Sequence, residues 1–387
     1  MSLISPIRFI EMNNSELRVI ISGGGTGGHI FPAVSIANAL REANPGVKIL
    51  FVGAEGRMEM QRVPAAGYEI IGLPVRGLLR PLWKPGNISI LIDFLKSKRM
   101  VKQTLREFKP HVAVGVGGYA SSATLNAAYE LGIPCLIQEQ NSYAGLTNKT
   151  LAKKASKICV AYEGMERFFP KDRILLTGNP VRQNLLNTSL TREECAAAFG
   201  LNPSKPTILL IGGSLGARTL NESVIRNLSR IAASSAQFIW QTGSYYSKEI
   251  EQTIDVKGKP GNLVVKDFIS RMDQAYCLAD LVISRAGAGT ISELCLLGKP
   301  AILVPSPNVA EDHQTHNAMA LVNRQAALFV RDTEAPEKLI PLALETVVDS
   351  EKLQQLGKNA ATMALRDSAR IIAEEVMKLA EQGSVSK

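Results

Sequence analysis

The stretch Ser-Arg-Ala-Gly-Ala-Gly-Thr-Ile-Ser-Glu, residues 284–293, follows a short apolar run and leads into a helical one. The first N–H groups of a helix have no intrahelical partner and carry its positive dipole end, so this turn can hold a phosphate. Gly287 and Gly289 lack the Cβ that would obstruct an anion. Glu293 would lie one turn inside, within reach of a ribose hydroxyl. For this stretch alone, a plain helix entry with glycines chosen for the turn remains an alternative.

Two further turns of the same kind occur, and we number the three in chain order. Loop 1, residues 22–29, reads Ser-Gly-Gly-Gly-Thr-Gly-Gly-His and follows the apolar run 17–21. Loop 2, residues 211–218, reads Ile-Gly-Gly-Ser-Leu-Gly-Ala-Arg and lies about half a chain further on. Loop 3 is 284–293. Each unit is a strand, a glycine loop and a helix, which predicts two similar α/β halves that face each other.

Short apolar runs alternate with helix-length segments along the chain, which predicts two largely parallel sheets. In the first half, the expected strands lie near 18–22, 48–52, 69–72, 112–115, 134–137, 157–160 and 173–176. In the second half, they lie near 207–211, 237–240, 262–265, 280–283, 300–304 and 327–330. Ligands of such sheets bind beyond the carboxyl ends of the strands, so the cleft between the halves is the predicted site. The hinge is placed at 178–182, where Gly and Pro end regular structure.

Composition excludes several classes of protein. A chain of 387 residues with 45% hydrophobic content can build two cores. Its apolar runs are shorter than the roughly 18–20 residues of a membrane-spanning helix, and its first residues lack a secretory signal pattern, so we expect a globular cytoplasmic protein. Five cysteines without a CxxC pair and four scattered histidines predict no metal site.

The net charge of +9 is concentrated in one segment. Residues 76–109 contain nine basic and two acidic residues and so carry seven of the nine net charges. The segment begins with Leu79, Leu82 and Trp83, and bulky apolar residues beside basic ones are typical of a protein bound to an anionic bilayer, so we predict that these three contact the membrane. Nucleic acid is not expected, because aromatic residues make up 5% of the chain and no recognition motif occurs.

A helix follows in the same segment. Its apolar residues have the spacing of one helix face: Ile88, Leu91, Ile92, Leu95, Val101, Leu105 and Phe108. This face either packs in the core, with a solvated basic face opposite, or contributes to the membrane surface. The pattern does not decide between the two.

Alternative explanations of the glycine loops are weaker. Gly23, Gly25 and Gly28 match G-x-G-x-x-G, which is typical of an NAD-dependent oxidoreductase with a Rossmann domain. The acid expected about 20 residues on has only Glu55 as a late candidate, and this class would not explain loops 2 and 3. No loop ends in Gly-Lys-Ser/Thr, which excludes a P-loop ATPase, and no Asp-x-Asp pair is present to hold a metal-chelated nucleotide. A non-catalytic nucleotide-binding module is a distant third possibility.

Seven motifs, in order, resemble those of the MurG family. They are Gly-Gly-Thr-Gly-Gly-His at 24–29, Gly-Val-Gly-Gly-Tyr at 115–119, Glu-Gln-Asn at 139–141, Gly-Asn-Pro-Val-Arg at 178–182, Gly-Gly-Ser-Leu-Gly at 212–216, loop 3, and His-Gln at 313–314 with Asn-Ala at 317–318. The resemblance covers about 18–380. It implies a GT-B fold, in which two Rossmann-like parallel-sheet domains face each other across a cleft. The domains would be 1–182 and 183–364, with a final helix within 365–387 that packs back on the first.

The resemblance also implies an activity. Members of the family are inverting glycosyltransferases that move N-acetylglucosamine from UDP-GlcNAc to the C4 hydroxyl of the N-acetylmuramyl sugar of lipid I. The product, lipid II, is used in peptidoglycan synthesis. The implied partners are UDP-GlcNAc, lipid I and an anionic membrane surface, and the implied location is peripheral, on the cytoplasmic face of the cell membrane. No cofactor is implied.

Residue roles follow by the same resemblance. The predicted donor-binding residues are Thr26, Gly27, Gly28, Asn141, Arg182, Ser214, Ile269, Ala288, Gly289, Thr290, Ile291, Ser292, Glu293 and Gln314. The predicted acceptor-binding residues are Gly25, Gly117, Gly118 and Tyr119. The helix start in loop 3 would stabilise the charge of departing UDP, so no metal is required. His29 is the predicted general base by residue type and position, and Glu139 is the alternative base or a residue that orients Asn141.

Overall fold

The computed structural model describes residues 16–77, 86–181, 185 and 189–385. The predicted membrane residues Leu79, Leu82 and Trp83 and the predicted donor residue Arg182 lie outside the described residues. The described chain forms two domains, each built on one sheet of parallel strands.

The first sheet has the strand order β3-β2-β1-β4-β5-β6-β7. Its strands are β1 (Arg18–Ser22), β2 (Lys48–Ala54), β3 (Glu69–Leu73), β4 (Val112–Gly115), β5 (Cys135–Glu139), β6 (Lys157–Val160) and β7 (Ile174–Leu176). The second sheet has the order β10-β9-β8-β11-β12-β13. Its strands are β8 (Thr207–Ile211), β9 (Gln237–Gln241), β10 (Leu263–Lys266), β11 (Leu281–Ser284), β12 (Ala301–Leu303) and β13 (Leu328–Phe329). These described strands confirm the predicted ones, with ends that differ by at most two residues.

Helices cover both faces of each sheet. In the first domain they are α1 (Gly27–Ala43), α2 (Glu59–Ala65), α3 (Gly86–Phe108), α4 (Tyr119–Glu130) and α5 (Leu146–Leu151). In the second they are α6 (Arg192–Phe199), α7 (Arg218–Arg226), α8 (Leu228–Ala233), α9 (Ser247–Lys257), α10 (Met272–Leu278), α11 (Ala288–Leu297), α12 (His313–Val322), α13 (Ala335–Val347) and α14 (Ser350–Thr362), and α15 (Ser368–Val385) ends the described chain.

Each sheet separates two apolar cores, because successive side chains of a strand point to opposite faces. In β1, Ile20 packs in one core of the first domain, while Val19 and Ile21 pack in the other. The second of these cores also contains Ile372 and Val376 of α15. The last helix therefore packs on α1 in the first domain, although the second sheet precedes it in the chain.

The two segments that connect the domains lie side by side. Gly178 has φ +82°, and a Cβ built on it would lie 2.6 Å from both Leu365 Cβ and Ser368 Oγ. Only glycine fits this conformation and this contact without strain. The outgoing linker at 178–181 and the returning one before α15 therefore touch.

The predicted apolar face of α3 is divided between the core and solvent. Val101 and Leu105 are buried, as is Ile90. Four residues at the start of the helix are exposed instead: Ile88 by 67%, Leu91 by 58%, Ile92 by 60% and Leu95 by 58%. We call these four residues the α3 stripe. Core packing therefore accounts for the second half of the predicted face but not for the first. Among the described residues, each helix is too short or too polar to cross a bilayer.

Candidate active site

The glycine loops converge on one cleft because of the strand order. In each sheet the order reverses beside the central strand, between β1 and β4 and between β8 and β11. Loops that leave strands at such a point diverge and open a crevice. Loop 1 follows β1, and loops 2 and 3 follow β8 and β11. Residues of all three loops line one cavity of about 790 Å³ between the domains.

The start of α11 forms one wall of this cavity. Gly287 precedes the helix, and Ala288, Gly289 and Thr290 line the cavity with the backbone of the first turn. Glu293 lies one turn further on, is buried, and accepts a hydrogen bond of 3.0 Å from the Tyr276 hydroxyl. The free N–H groups of this turn can bind a diphosphate, and the carboxylate can bind a sugar hydroxyl.

Loop 2 and the segment after β10 form the adjoining wall. Ser214 and Ile269 both line the cavity. The buried Gln241 side chain connects these two parts: its Oε1 accepts from Ile269 N at 3.0 Å and its Nε2 donates to Gly213 O at 3.0 Å. Gln241 was not predicted from the sequence, because nothing in its strand distinguishes it.

Gln314 at the start of α12 also lines the cavity. Its Oε1 accepts a hydrogen bond of 2.8 Å from Ser306 N. This contact fixes the orientation of the amide and leaves Nε2 as a donor for a ligand hydroxyl.

Four of the described predicted donor residues do not line this cavity: Thr26, Asn141, and Ile291 and Ser292 of α11. Ile291 is buried, and Ser292 Oγ donates to Ala288 O and accepts from Asn179 Nδ2, each at 3.0 Å. Both residues line a second interdomain cavity of about 460 Å³, with Gly178 and Asn179, and not the cavity that holds the glycine loops. Helical geometry explains Ile291, which lies about 160° around the axis from both Gly289 and Glu293. Ser292 lies only about 60° from Gly289, and its hydrogen bonds to Ala288 O and Asn179 Nδ2 hold its hydroxyl away from the larger cavity.

The glycines of loop 1 have packing reasons of their own. A Cβ on Gly23 would lie 2.0 Å from Val116 Cγ2, and one on Gly24 would lie 2.0 Å from Glu59 Oε1. Gly25 has φ +85°. The approach of an anion is therefore not needed to explain these three glycines. The next two, Gly27 and Gly28, line the cavity at the start of α1, where their amides have no intrahelical acceptor.

His29 follows immediately and is partly buried. Its Nδ1 lies 2.9 Å from Gly24 O and, because a carbonyl only accepts, carries the proton. The neutral ring therefore has its lone pair on Nε2. Burial lowers the pKa of His29 from its ordinary value of 6.5, whereas the Gly24 bond and the charges of Glu139 and Glu59 raise it and His313 lowers it. A neutral imidazole at physiological pH is the form that can accept a proton.

Of the predicted acceptor residues, Gly117 lies next to the His29 ring and Gly118 next to the carbonyl that binds it. A Cβ on Gly117 would lie 2.8 Å from His29 Nε2, and one on Gly118 would lie 2.7 Å from Gly24 O. Both glycines have positive φ, +102° and +89°. Tyr119 begins α4 and is 52% exposed, and its hydroxyl lies against Gly77. Thr26 precedes α1, with Oγ1 3.5 Å from His29 Nδ1.

Glu139 is fully engaged by its own loop. Oε1 accepts from Asn141 N and Asn141 Nδ2 at 3.0 and 3.2 Å. Oε2 accepts from Gly145 N and Asn148 Nδ2 at 3.0 and 2.8 Å. A carboxylate with four donors is well suited to hold the loop after β5 and poorly placed to take a proton from a substrate.

Asn141 connects this loop to the other domain. Its Oδ1 accepts from Asn317 Nδ2 at 3.1 Å, and Asn317 Oδ1 accepts from Ser142 N and Ser142 Oγ at 2.9 and 3.0 Å. Asn317 is buried on α12, the helix that begins next to Gln314. The sequence motif contains Asn317, but its spacing gives no sign of a bridge between domains.

Known proteins resemble this chain over nearly its whole length. The model of the glycosyltransferase family 28 N-terminal domain matches residues 19–160, and that of the C-terminal domain of the same family matches residues 207–372. Two curated proteins named UDP-N-acetylglucosamine--N-acetylmuramyl-(pentapeptide) pyrophosphoryl-undecaprenol N-acetylglucosamine transferase are similar over nearly the whole chain. That of Bacteroides fragilis is 61% identical and covers 96% of this chain and 98% of its own. That of Phocaeicola vulgatus is 63% identical, with 95% and 97% covered. The crystal structure of Acinetobacter baumannii MurG is 29% identical, with a TM-score of 0.74 and 94% and 99% covered.

Proposed function

The chain belongs to glycosyltransferase family 28, and within it to the MurG enzymes, and on that premise we propose that it transfers N-acetylglucosamine from UDP-GlcNAc to lipid I. The bond formed joins C1 of the donor sugar to the C4 hydroxyl of the acceptor, and lipid II for cell-wall synthesis is the product. The observation that carries the proposal is that two glycine loops of one domain and one of the other open into the same cavity of about 790 Å³.

The donor occupies the wall formed by loops 2 and 3. As the bond from C1 to the diphosphate breaks, negative charge accumulates on UDP, and the first-turn amides of α11 stabilise it. Glu293 holds the ribose, and Gln314 Nε2 donates to the sugar. Because helix amides supply the positive charge, we propose that no metal cofactor takes part.

His29 is the proposed general base. Its Nε2 accepts the proton of the acceptor hydroxyl while that oxygen attacks C1 and UDP leaves with the bonding electrons. The hydrogen bond from Nδ1 to Gly24 O keeps the lone pair on Nε2, and the lowered pKa keeps the ring neutral before the reaction. The four contacts of Glu139 support a positioning function for that residue instead.

The α3 stripe supports a peripheral membrane location. Its four apolar residues are more than half exposed, and Lys96 and Arg99 lie exposed beside it on the same helix. An apolar strip with adjacent cations binds an anionic leaflet through both burial and charge. We propose that it rests on the cytoplasmic face of the cell membrane, where a lipid-linked acceptor is found.

The membrane proposal is tested by sedimentation with vesicles of phosphatidylglycerol and phosphatidylcholine. The double variant Leu91→Glu/Ile92→Glu should lose binding, because two charges replace the apolar strip. Val348→Glu, at a valine of the second domain that is 62% exposed, adds a charge elsewhere and should bind normally. Equal binding by both variants would exclude the α3 stripe as the contact.

The reaction is tested with labelled UDP-GlcNAc and a lipid I analogue. His29→Ala should lower kcat by about 100-fold or more and change the Kd for UDP-GlcNAc by less than about threefold, since a base acts on the chemical step. Unchanged turnover in His29→Ala would show that His29 is not the general base. If the unaltered chain forms no labelled product, the proposed reaction is wrong.

The family assignment gives no support to an NAD-dependent oxidoreductase. A thermal-shift comparison separates the two activities directly. A ligand at 100 times its Kd stabilises the protein by about 2.7 kcal/mol, so UDP-GlcNAc should raise the melting temperature and NAD should not.

A further inference from the structure

One buried carboxylate of the first domain has no function in the mechanism above. Glu59, the first residue of α2, is 0% exposed and lies beneath loop 1. Its Oε1 accepts from Ala54 N at 3.0 Å, and Gly25 N donates to Oε1 and Oε2 at 3.1 and 3.0 Å. Among the described residues its hydrogen-bond donors are all backbone amides. Burial of a carboxylate without a charged partner is costly, so its position calls for a reason.

The position of the Gly25 amide suggests that reason. Gly25 N and Gly24 O belong to the same peptide group. The N–H side of this group donates to Glu59, and its C=O side accepts from His29 Nδ1 at 2.9 Å. A carboxylate, a peptide group and an imidazole are thus joined in one line of hydrogen bonds.

Such a line transmits polarisation. A carboxylate that accepts from the N–H increases the negative charge on the carbonyl oxygen of the same peptide, and chains of hydrogen bonds strengthen one another in this way. A stronger acceptor at Gly24 O holds the proton on His29 Nδ1 and stabilises the imidazolium that forms when Nε2 takes a second proton. In many enzymes a carboxylate does this by direct contact with the imidazole.

We propose that Glu59 is a positioning residue for His29, and that it orients and polarises the imidazole through the intervening Gly24–Gly25 peptide group. The proposal rests on the base function proposed for His29, but the hydrogen-bonded line itself does not depend on transferase activity. Two glycines leave the space that this line of hydrogen bonds needs. Gly24 can carry no Cβ because Glu59 Oε1 would lie 2.0 Å away, and Gly118 can carry none because Gly24 O would lie 2.7 Å away.

Other charged groups also act on His29. Glu139 from the end of β5 raises its pKa, and His313 from the start of α12 lowers it. Glu59 differs from both because it is joined to the ring through hydrogen bonds. Removal of the Glu59 charge should lower the pKa of His29 further and weaken the preference for a proton on Nδ1. The effects of Glu139 and His313 on the pKa should stay unchanged.

The test uses the full chain labelled with ¹⁵N-histidine, which contains four histidines, with His29→Gln to assign the signal. In the unaltered protein, neutral His29 should carry its proton on Nδ1, and a proton on Nε2 would overturn the proposal. In Glu59→Gln, the His29 pKa should fall, and the acid limb of kcat/KM should move to lower pH. Its kcat should drop by about tenfold. Glu69→Gln, at an exposed carboxylate of β3, is the control and should change none of these.

A folded Glu59→Gln variant with the unaltered His29 pKa and acid limb would overturn the proposal, because glutamine keeps the shape and an acceptor oxygen but not the charge. If the variant does not fold, the tautomer in the unaltered chain still decides. If the chain transfers no sugar, the proposed function fails, and the histidine titration still tests the line from Glu59 to His29.

Discussion

Gly118→Ala should harm both stability and turnover, because Gly118 packs against the carbonyl that orients His29. Gly118 has φ +89° and ψ 171°, a region that is essentially restricted to glycine and costs about 1–3 kcal/mol for other residues. Its Cβ would lie 2.7 Å from Gly24 O. Relief of that overlap adds ~1–3 kcal/mol. We therefore expect a total loss of ~2–6 kcal/mol.

Gly132→Ala is the matched control. Gly132 has φ +70°, and a Cβ there meets nothing within 4 Å, so only the backbone cost of ~1–2 kcal/mol applies. Melting temperatures should fall by about 2–4 °C per kcal/mol in each variant. Displacement of Gly24 O should also lower the kcat of Gly118→Ala by about tenfold or more, while Gly132→Ala keeps its turnover. Equal melting and equal kcat in the two variants would refute the steric argument.

Four further results are expected. Thr290→Ala should raise the KM for UDP-GlcNAc by about tenfold and Ser292→Ala by less than about twofold, because only Thr290 lines the larger cavity; equal effects would contradict this assignment. Asn317→Ala leaves the buried Ser142 amide without its acceptor and should destabilise the chain by ~1–3 kcal/mol, measured by thermal melting; an unchanged melting temperature would exclude a bridging role. Because the pKa of His29 is lowered, kcat/KM should fall as the pH drops through a value below 6.5 and should be flat above it. The stability contributed by the neutral ring should be lost over the same acidic range. A loss of rate on the alkaline side alone would argue against His29 as the base. EDTA should leave kcat unchanged, and a loss restored by a divalent cation would overturn the metal-independent mechanism.

Strand positions were predictable because each strand is a short apolar run between helix-length segments, and a strand buried on both faces reads that way. The position of the cleft followed as well, since glycine loops after β1, β8 and β11 must lie at the carboxyl ends of their sheets. The GT-B fold is confirmed by the two sheets and by the family match.

Side-chain partners were less predictable. Glu59 lies 34 residues from Gly25 in sequence, and only the folded turn after β2 brings its carboxylate under loop 1. The spacing of apolar residues in α3 marked one face but could not show that only its second half meets the core. Ile291 is a different case, because two steps of 100° already place it on the opposite side of α11 from Gly289. Ser292 lies on nearly the same side as Gly289, and nothing in the sequence indicates its hydrogen bond with Asn179.

The contact of Gly178 with Leu365 and Ser368 has a mechanical consequence. Because the two connections touch here, we expect the domains to rotate about this place as a single pivot. Pro180 and Val181 border the larger cavity, while Gly178 and Asn179 border the smaller one, so the linker lies between the two. We expect a rotation that narrows the larger cavity to widen the smaller one. The volume of the smaller cavity would then report how far the two domains have closed.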